Sequence, residues 1–279
     1  PGNDLESIAG QVASGCNIIF FVTGNGSITN FPFVPTLKVV TTTERYNLLS
    51  KDMDVNAGAY LDGTSMDDLG QSMFDLTREV ASGKRSKGEE AGHAQVSIWR
   101  AWPQTSADNL IQIQSNQEPK GQPIGVHPLP TNGECTFQGL LSGPRVTTNR
   151  IGLILPTSLC SGQIANMAAN RLTELGIGKN QGISRFVGLA HTEGCGVAGE
   201  TAERLYTRTM VGYLSHPLIH RALLLEHGCE KTHNDYLRHA LQDKGLSAED
   251  FGWASVQLDG GIDQVLDKIQ TWFETVFAS

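Results

Sequence analysis

Three cysteines, Cys160, Cys195 and Cys229, each follow a short apolar run and precede a helical pattern. Thiolates are soft ligands, and three brought to one place suit a soft metal ion or an iron–sulfur centre. Glycines stand beside two of them, in Gly194-Cys195-Gly196 and Gly228-Cys229, and let backbone approach a ligand closely. A single free cysteine is most often a small buried apolar residue, so the reading rests on the repeat of one position in three successive units. They form no CxxC pair, which argues against a structural zinc knuckle. His191 and His227 lie close to these cysteines, and His233 lies a little beyond. Imidazole is a metal ligand and a base near neutral pH, so His191 and His227 are the candidate catalytic groups and His233 an ordinary loop histidine. Glu193, Glu200 and Glu230 flank the same loops and read first as acids facing a helix dipole.

Other candidates lie earlier. Asp52 and Asp54 alternate around Met53, share a face of an extended segment, and suit a hard cation or acid–base work. A solvated turn has equal weight. Lys84, Arg85 and Lys87 form a basic turn that can hold a substrate carboxylate, although a solvated charge run is the default. The run Gly24-Asn25-Gly26-Ser27 offers backbone N–H groups to an anion but matches neither a phosphate loop nor GxGxxG. Cys16 and Cys135 read as structural.

The elements that must position these groups alternate. Apolar runs at 152–155, 186–189, 222–225 and 253–258 read as strands. Between them, Ile164, Met167, Ala168, Leu172 and Leu175, then Ala202, Leu205, Tyr206, Met210, Tyr213 and Leu214, line single helix faces. Thr232 is placed to cap a third helix that Gly245 ends, and a last helix buries Ile262, Val265, Leu266, Ile269, Trp272 and Phe273. This rhythm predicts an α/β fold with Rossmann-like, three-layer parallel sheets, whose right-handed crossovers bring all the strand ends to one edge. In the first part, a helix carries Leu5, Ile8, Ala9 and Val12, and strands are expected at 17–23, 36–42 and 93–99. A helix over 66–82 is expected to bury Leu69, Met73, Leu76 and Val80. Residues 105–149, rich in Gln, Pro, Gly, Asn and Thr, read as a linker with short strands at 110–113 and 124–126. Two subdomains follow, 1–104 and 150–279, joined by that β-containing linker.

Composition excludes some partners. With 21 Lys and Arg against 29 Asp and Glu, the net charge is −8. That argues against nucleic acid and anionic membrane, and an anionic substrate then needs a local cation or metal. Five cysteines without small-scaffold spacing, no bilayer-length apolar run and no secretory signal point to a reduced, cytoplasmic protein. Pro1 in place of an initiator Met reads as a piece of a longer chain.

The segments Thr23-Gly24-Asn25-Gly26-Ser27, Pro35-Thr36-Leu37-Lys38, Asp52-Met53-Asp54-Val55-Asn56-Ala57-Gly58, Arg85-Ser86-Lys87-Gly88-Glu89 and Gly92-His93 resemble the C-terminal region of the altronate/galactarate dehydratase family. Leu155-Pro156-Thr157-Ser158-Leu159-Cys160, His191-Thr192-Glu193-Gly194-Cys195-Gly196 and Gly228-Cys229-Glu230 are similar to its cysteine motifs. In that family the cysteine motifs precede the Asp-Met-Asp region, whereas here they follow it. The resemblance implies a hydro-lyase acting on a small sugar acid such as altronate or galactarate, dependent on a divalent metal, ferrous iron first, with a [4Fe–4S] cluster or Mn2+ as alternatives. Under it, Cys160, Cys195 and Cys229 are metal ligands, His191 is the base, and His227 is a ligand or the acid for the leaving hydroxyl. Asp52, Asp54, Asn56, Lys84 and Arg85 are the candidate substrate-binding residues. The expected partners are N-terminal domains of a longer chain and further copies of itself. The alternative is a non-catalytic scaffold or oligomerisation domain of a larger dehydratase; a nucleotide-binding α/β domain is a weaker idea.

Overall fold

The computed structural model describes residues 3–98, 115, 136–142, 145–195, 197 and 199–278. Helix α1 (Asp4–Ala13) starts where the Asn3 carboxamide oxygen accepts from Leu5 N at 3.0 Å, and it buries Ile8, Ala9 and Val12. Strands β1 (Ile19–Thr23), β2 (Thr36–Val40) and β3 (Val55–Asn56) form a parallel sheet in that order, with β2 buried along its whole length. Short helices α2 (Thr43–Leu48) and α4 (Lys87–Glu90) flank the longer α3 (Met66–Ala81) in sequence. Strands β4 (Leu140–Ser142) and β5 (Arg145–Thr147) pair as an antiparallel hairpin.

The second sheet carries the chemistry. Strands β6 (Ile151–Pro156), β7 (Arg185–Gly188), β8 (Ile219–Glu226) and β9 (Gly252–Ser255) are parallel, in the order β7-β6-β8-β9. β6 is buried at every residue, as a strand covered on both faces must be. Helices α5 (Leu159–Glu174) and α8 (Ile262–Ala278) pack through Ala165, Ala168, Leu172, Ile269 and Phe273 on one face. Helices α6 (Glu200–Leu214), α7 (Asn234–Asp243) and α1 cover the other. The expected three-layer, Rossmann-like arrangement is present. A Cβ on Gly188 would stand 2.5 Å from the backbone of Ala165, so only glycine lets α5 lie this close to β7.

Ile8, Val12, Phe31, Phe33, Val96 and Ile98 share one apolar core with Tyr206, Met210 and Tyr213 of the later residues. The rings of Phe31 and Tyr213 stand 5.5 Å apart, centre to centre.

Three local expectations differ. The described part of 93–99 holds no strand: Gln95 bonds Asn30 through both its backbone N–H and its side chain, so it pairs with a loop instead of a ladder. Helix α3 forms, capped by Ser65, but buries only Val80; Leu69, Met73 and Leu76 are half-buried, because its main contact is the single turn Ala57–Tyr60. The cap of α7 is His233, whose Nδ1 accepts from Tyr236 N at 3.3 Å, while the Thr232 hydroxyl turns to the Thr157 carbonyl. The strands expected at 110–113 and 124–126, and Cys135, lie outside the described residues.

Candidate metal centre

The chain runs from β6 outward to β7 and then returns past β6 to β8. The helices leaving β6 and β7 go to opposite faces, which opens a crevice at the carboxyl ends of β6 and β8. The three loops beyond β6, β7 and β8 carry Cys160, Cys195 and Cys229, and all three thiols are exposed. Cys160 lies in the first turn of α5, with its Sγ 3.6 Å from Cys195 Sγ. Cys229 Sγ lies 3.3 Å from His227 Nδ1. The Cys195 thiol, and then partial desolvation, push the Cys160 thiol up; desolvation, and then the charges of Cys195 and Glu230, push Cys229 up. Ionising one of these sulfurs therefore disfavours ionising the next, a cost that a bound cation removes.

Glu230 ties the loops together. Its Oε1 accepts from the Thr157 hydroxyl at 2.6 Å, the Ser158 hydroxyl at 3.1 Å and His227 N at 2.8 Å. Its Oε2 accepts from Gly228 N at 2.7 Å and Cys229 N at 2.9 Å. Gly228 adopts φ +118°, and that conformation is what curls these N–H groups toward one carboxylate. Burial pushes the Glu230 carboxyl up, but the Thr157 hydroxyl and the backbone N–H groups outweigh it and hold it at about 2. Glu230 lies near His227 and Cys229 as a metal donor would. Its lone pairs are already spent on these donors, so we assign it to holding the loops rather than to coordination. Two further bonds lace the loops: Leu159 N donates to the Glu193 carbonyl at 2.6 Å, and Lys231 N to the Cys195 carbonyl at 3.2 Å.

His191 sits beneath this site with both ring nitrogens engaged. Nε2–H donates to the Pro156 carbonyl at 2.8 Å and Nδ1 accepts from Glu193 N at 3.1 Å. It is buried, and burial lowers its pKa, so the ring is neutral. The Tyr206 hydroxyl donates to the Thr157 carbonyl at 2.7 Å, and burial raises its pKa. Sequence reasoning did not single out Thr157, Ser158 or Tyr206, and it placed Glu230 on a helix dipole.

The other candidates lie elsewhere. Asp54 accepts from Lys38 N and Lys87 N, each at 2.8 Å, so its carboxylate braces backbone. Asn56 bonds the Thr43 hydroxyl at 2.9 Å. Asp52 is half-buried in the same loop and acts electrostatically on Lys38. Lys87 Nζ donates to the Ser50 and Met53 carbonyls. In the glycine-rich run, the Thr23 hydroxyl accepts from Gly26 N at 3.1 Å, so that N–H is used internally. Lys84 pairs with Glu79 at 2.7 Å on the surface. Lys84 and Arg85 line a cleft of about 420 Å³ with Asn149, Ser184, Arg185 and Leu218. Those last four residues sit at or just before the starts of β6, β7 and β8, so this cleft is at the edge opposite the thiols. β6 spans six residues, roughly 20 Å at about 3.3 Å each. A small sugar acid therefore does not touch both places on one copy.

An open parallel sheet with helices on both faces defines an α/β protein of the open-sheet class. Comparison with known proteins places it more narrowly. The family model described as D-galactarate/Altronate dehydratase, C-terminal, matches residues 1–104. The one described as D-galactarate dehydratase/Altronate hydrolase, second domain, matches residues 142–278. The chain belongs to the galactarate/altronate dehydratase family, with its two regions in the reverse of the order their descriptions imply. Similar curated proteins include altronate dehydratase of Escherichia coli K12, 30% identical over 101 residues, and that of Bacillus subtilis 168, 34% over 102; each match covers 36% of this chain and 20% of the relative. Galactarate dehydratase (L-threo-forming) of E. coli K12 is 33% identical over 108 residues, 38% of this chain and 21% of the relative. The matched stretch thus spans about a fifth of these relatives. Among the described residues, no helix is long and apolar enough to cross a membrane.

Proposed function

We propose that this chain is part of a metal-dependent hydro-lyase that converts a sugar acid, such as altronate or galactarate, into a 2-keto-3-deoxy acid. The reaction removes the proton α to the carboxylate and expels the β-hydroxyl as water. The observation that carries the reading is that three exposed thiols, two of them 3.6 Å apart, stand on the loops at one edge of a parallel sheet in a family whose named relatives are sugar-acid dehydratases. Cys160, Cys195 and Cys229 are the metal donors. The thiolate set fits ferrous iron or an iron–sulfur cluster, and fits manganese least, since that ion favours oxygen donors. A bound divalent ion supplies Lewis-acid polarisation of the substrate carboxylate and hydroxyl oxygens.

The chain's own residues prepare that site. Glu230 fixes the loops after β6 and β8 in register. His191 fixes the Pro156 carbonyl and is a positioning residue: removing a proton needs a free nitrogen lone pair, and both of its nitrogens are committed. His227 meets the Cys229 thiol, as a metal donor or as the acid for the leaving hydroxyl. The substrate's distal end, a hydroxyl or a second carboxylate, is held by parts of the longer dehydratase, because Lys84 and Arg85 line a cleft at the opposite edge. The test is anaerobic purification, elemental analysis and an assay of 2-keto acid formation across a sugar-acid panel, with the full-length protein alongside. Replacing all three cysteines by serine abolishes metal content and turnover. Unchanged metal and turnover in that variant would return the chain to the scaffold reading, in which the thiols are relics.

A further inference from the structure

We infer that Cys160 and Cys195 form a site of reversible oxidation: a hydroperoxide joins them in a disulfide, and a thiol reductant opens it. The pairing stands on geometry alone; only its consequence for metal rests on the reading that these thiols bind one. The two sulfurs are 3.6 Å apart and both thiols are exposed, so an oxidant reaches them from solvent. A disulfide closes them to about 2.0 Å, a shift that side-chain rotation supplies when the two backbones already lie close. Here the backbones are tied. Leu159 N, one residue before Cys160, donates at 2.6 Å to the carbonyl of Glu193, two residues before Cys195. A Cβ on Gly194 would stand 3.3 Å from Leu159 Cδ2. The chain beside one cysteine is thus packed against the chain beside the other, although the two are 35 residues apart in sequence.

With a hydroperoxide as oxidant the step balances. One sulfur attacks a peroxide oxygen as its thiolate, the O–O bond breaks, and the departing hydroxide takes up the thiol's proton as water, leaving a sulfenic acid. The facing sulfur then displaces the sulfenic hydroxyl, which leaves as a second water with that thiol's proton, and the S–S bond closes. Two thiols lose two hydrogens and two electrons, and the peroxide is reduced. The facing sulfur already stands near attack distance, so closure outruns further oxidation to sulfinic acid. The other described cysteines are placed differently. Cys229 turns to its own loop, where its Sγ meets His227 Nδ1 at 3.3 Å. Cys16 lies away from the thiol loops, its carbonyl bonded to His216 just before β8. A Cys160–Cys195 disulfide removes two of the three thiolate donors, so oxidation releases the metal, and reduction restores the site with the fold kept throughout.

The test uses the full chain, reduced and metal-free, treated with one equivalent of hydrogen peroxide at pH 8. Two of its five cysteines should lose their reaction with a thiol reagent, and dithiothreitol should return both. Digestion of the oxidised wild-type chain and mass spectrometry should recover the peptides of Cys160 and Cys195 joined, from protein that runs as a single chain on a non-reducing gel. Cys160→Ser and Cys195→Ser should each abolish that species, and Cys229→Ser should leave it. The mapping is made on the wild-type chain, so it stands even if a variant fails to fold. Cys229 joined to either partner, a link between chains, or thiols oxidised singly to sulfinic acid would overturn the pairing. A titration with Co2+ then reads the consequence. The reduced chain should show a thiolate-to-cobalt charge-transfer band, and the cross-linked chain should lose about two thirds of it or more until dithiothreitol is added. Equal bands in the two forms would overturn the release of metal. No band in either would remove the metal reading of the thiols and leave the disulfide standing.

Discussion

Glu230 shows how much a single side chain decides here. A glutamate offers acceptors only, and the site presents it with five donors. Glutamine has the same shape but turns an NH2 group toward N–H donors. Glu230→Gln should therefore weaken Co2+ or Fe2+ binding by about 10–100-fold while the far-ultraviolet circular dichroism stays unchanged. An unaltered affinity in a metal titration would remove Glu230 from the site. Sequence alone gives Glu230 the spacing of a helix first-turn acid; the φ of Gly228, which gathers the N–H groups, is a backbone fact that no residue type announces. Lys38 is the opposite case, an amine without a partner. It is fully buried in β2, and its Nζ makes no hydrogen bond among the described residues. Burial lowers its pKa against the pull of Asp54 and Asp52. Lys38→Met, similar in volume, should raise stability by about 1–3 kcal/mol in urea denaturation at pH 7. The gain narrows as pH approaches 10.5, because the wild-type native chain sheds that proton before the unfolded one does. A destabilised variant would mean that the amine serves a partner.

At the scale of elements, the later half was legible because three of its strands centre on uninterrupted apolar runs and each helix shows one apolar face; the run at 253–258, broken by Ser255 and Gln257, forms a strand only over Gly252–Ser255 and then turns. The run at 152–155 gains one residue at each end as β6, the run at 186–189 shifts one residue earlier as β7, and the run at 222–225 gains three residues before it and one after as β8. What the pattern does not reveal is covering. Helix α3 has an apolar face as clear as that of α8, yet α8 lies against the sheet and α3 against one turn. Periodicity reports which face is apolar, not whether anything packs on it. Close approach is likewise invisible until the helix is in place. At Gly188 an added methyl meets the Ala165 backbone, which is not the far end of a flexible chain and cannot swing away. Gly188→Ala should push α5 off β7 and cost about 1–3 kcal/mol in urea or thermal unfolding. Because Cys160 lies in the first turn of α5, the same change should weaken metal binding, whereas Gly10→Ala, with open space around it inside α1, should leave metal binding untouched and add up to about 1 kcal/mol of stability. Equal behaviour of the two variants would show that the α5–β7 spacing does not govern the site.

For the whole molecule, the two family regions meet in one core, and two neutral histidines are part of that closure. His191 lies under the thiol crevice and His216 against Phe33, with ring centres 5.2 Å apart, where the early and late residues join. His216 uses both nitrogens on backbone, donating to the Cys16 carbonyl at 3.2 Å and accepting from Leu218 N at 3.1 Å. Burial lowers the pKa of both rings below 6.5. As pH falls through 6.5, the unfolded chain takes up protons that the native one refuses, so stability drops; above that pH both states are neutral and nothing is lost. Glu230 acts lower down. Its carboxyl is held at about 2 against an ordinary 4.5, so its contribution is whole above 4.5 and disappears as pH falls toward 2. For the metal-free chain, the urea midpoint should therefore be level between pH 8 and pH 7, decline below 6.5, and steepen below 4.5. His216→Gln, which keeps a polar side chain but cannot titrate, should flatten the first decline at some cost in stability at pH 8. A wild-type midpoint that holds level to pH 5 would mean that both rings gain a proton without opening the core, and that this junction is looser than its packing implies.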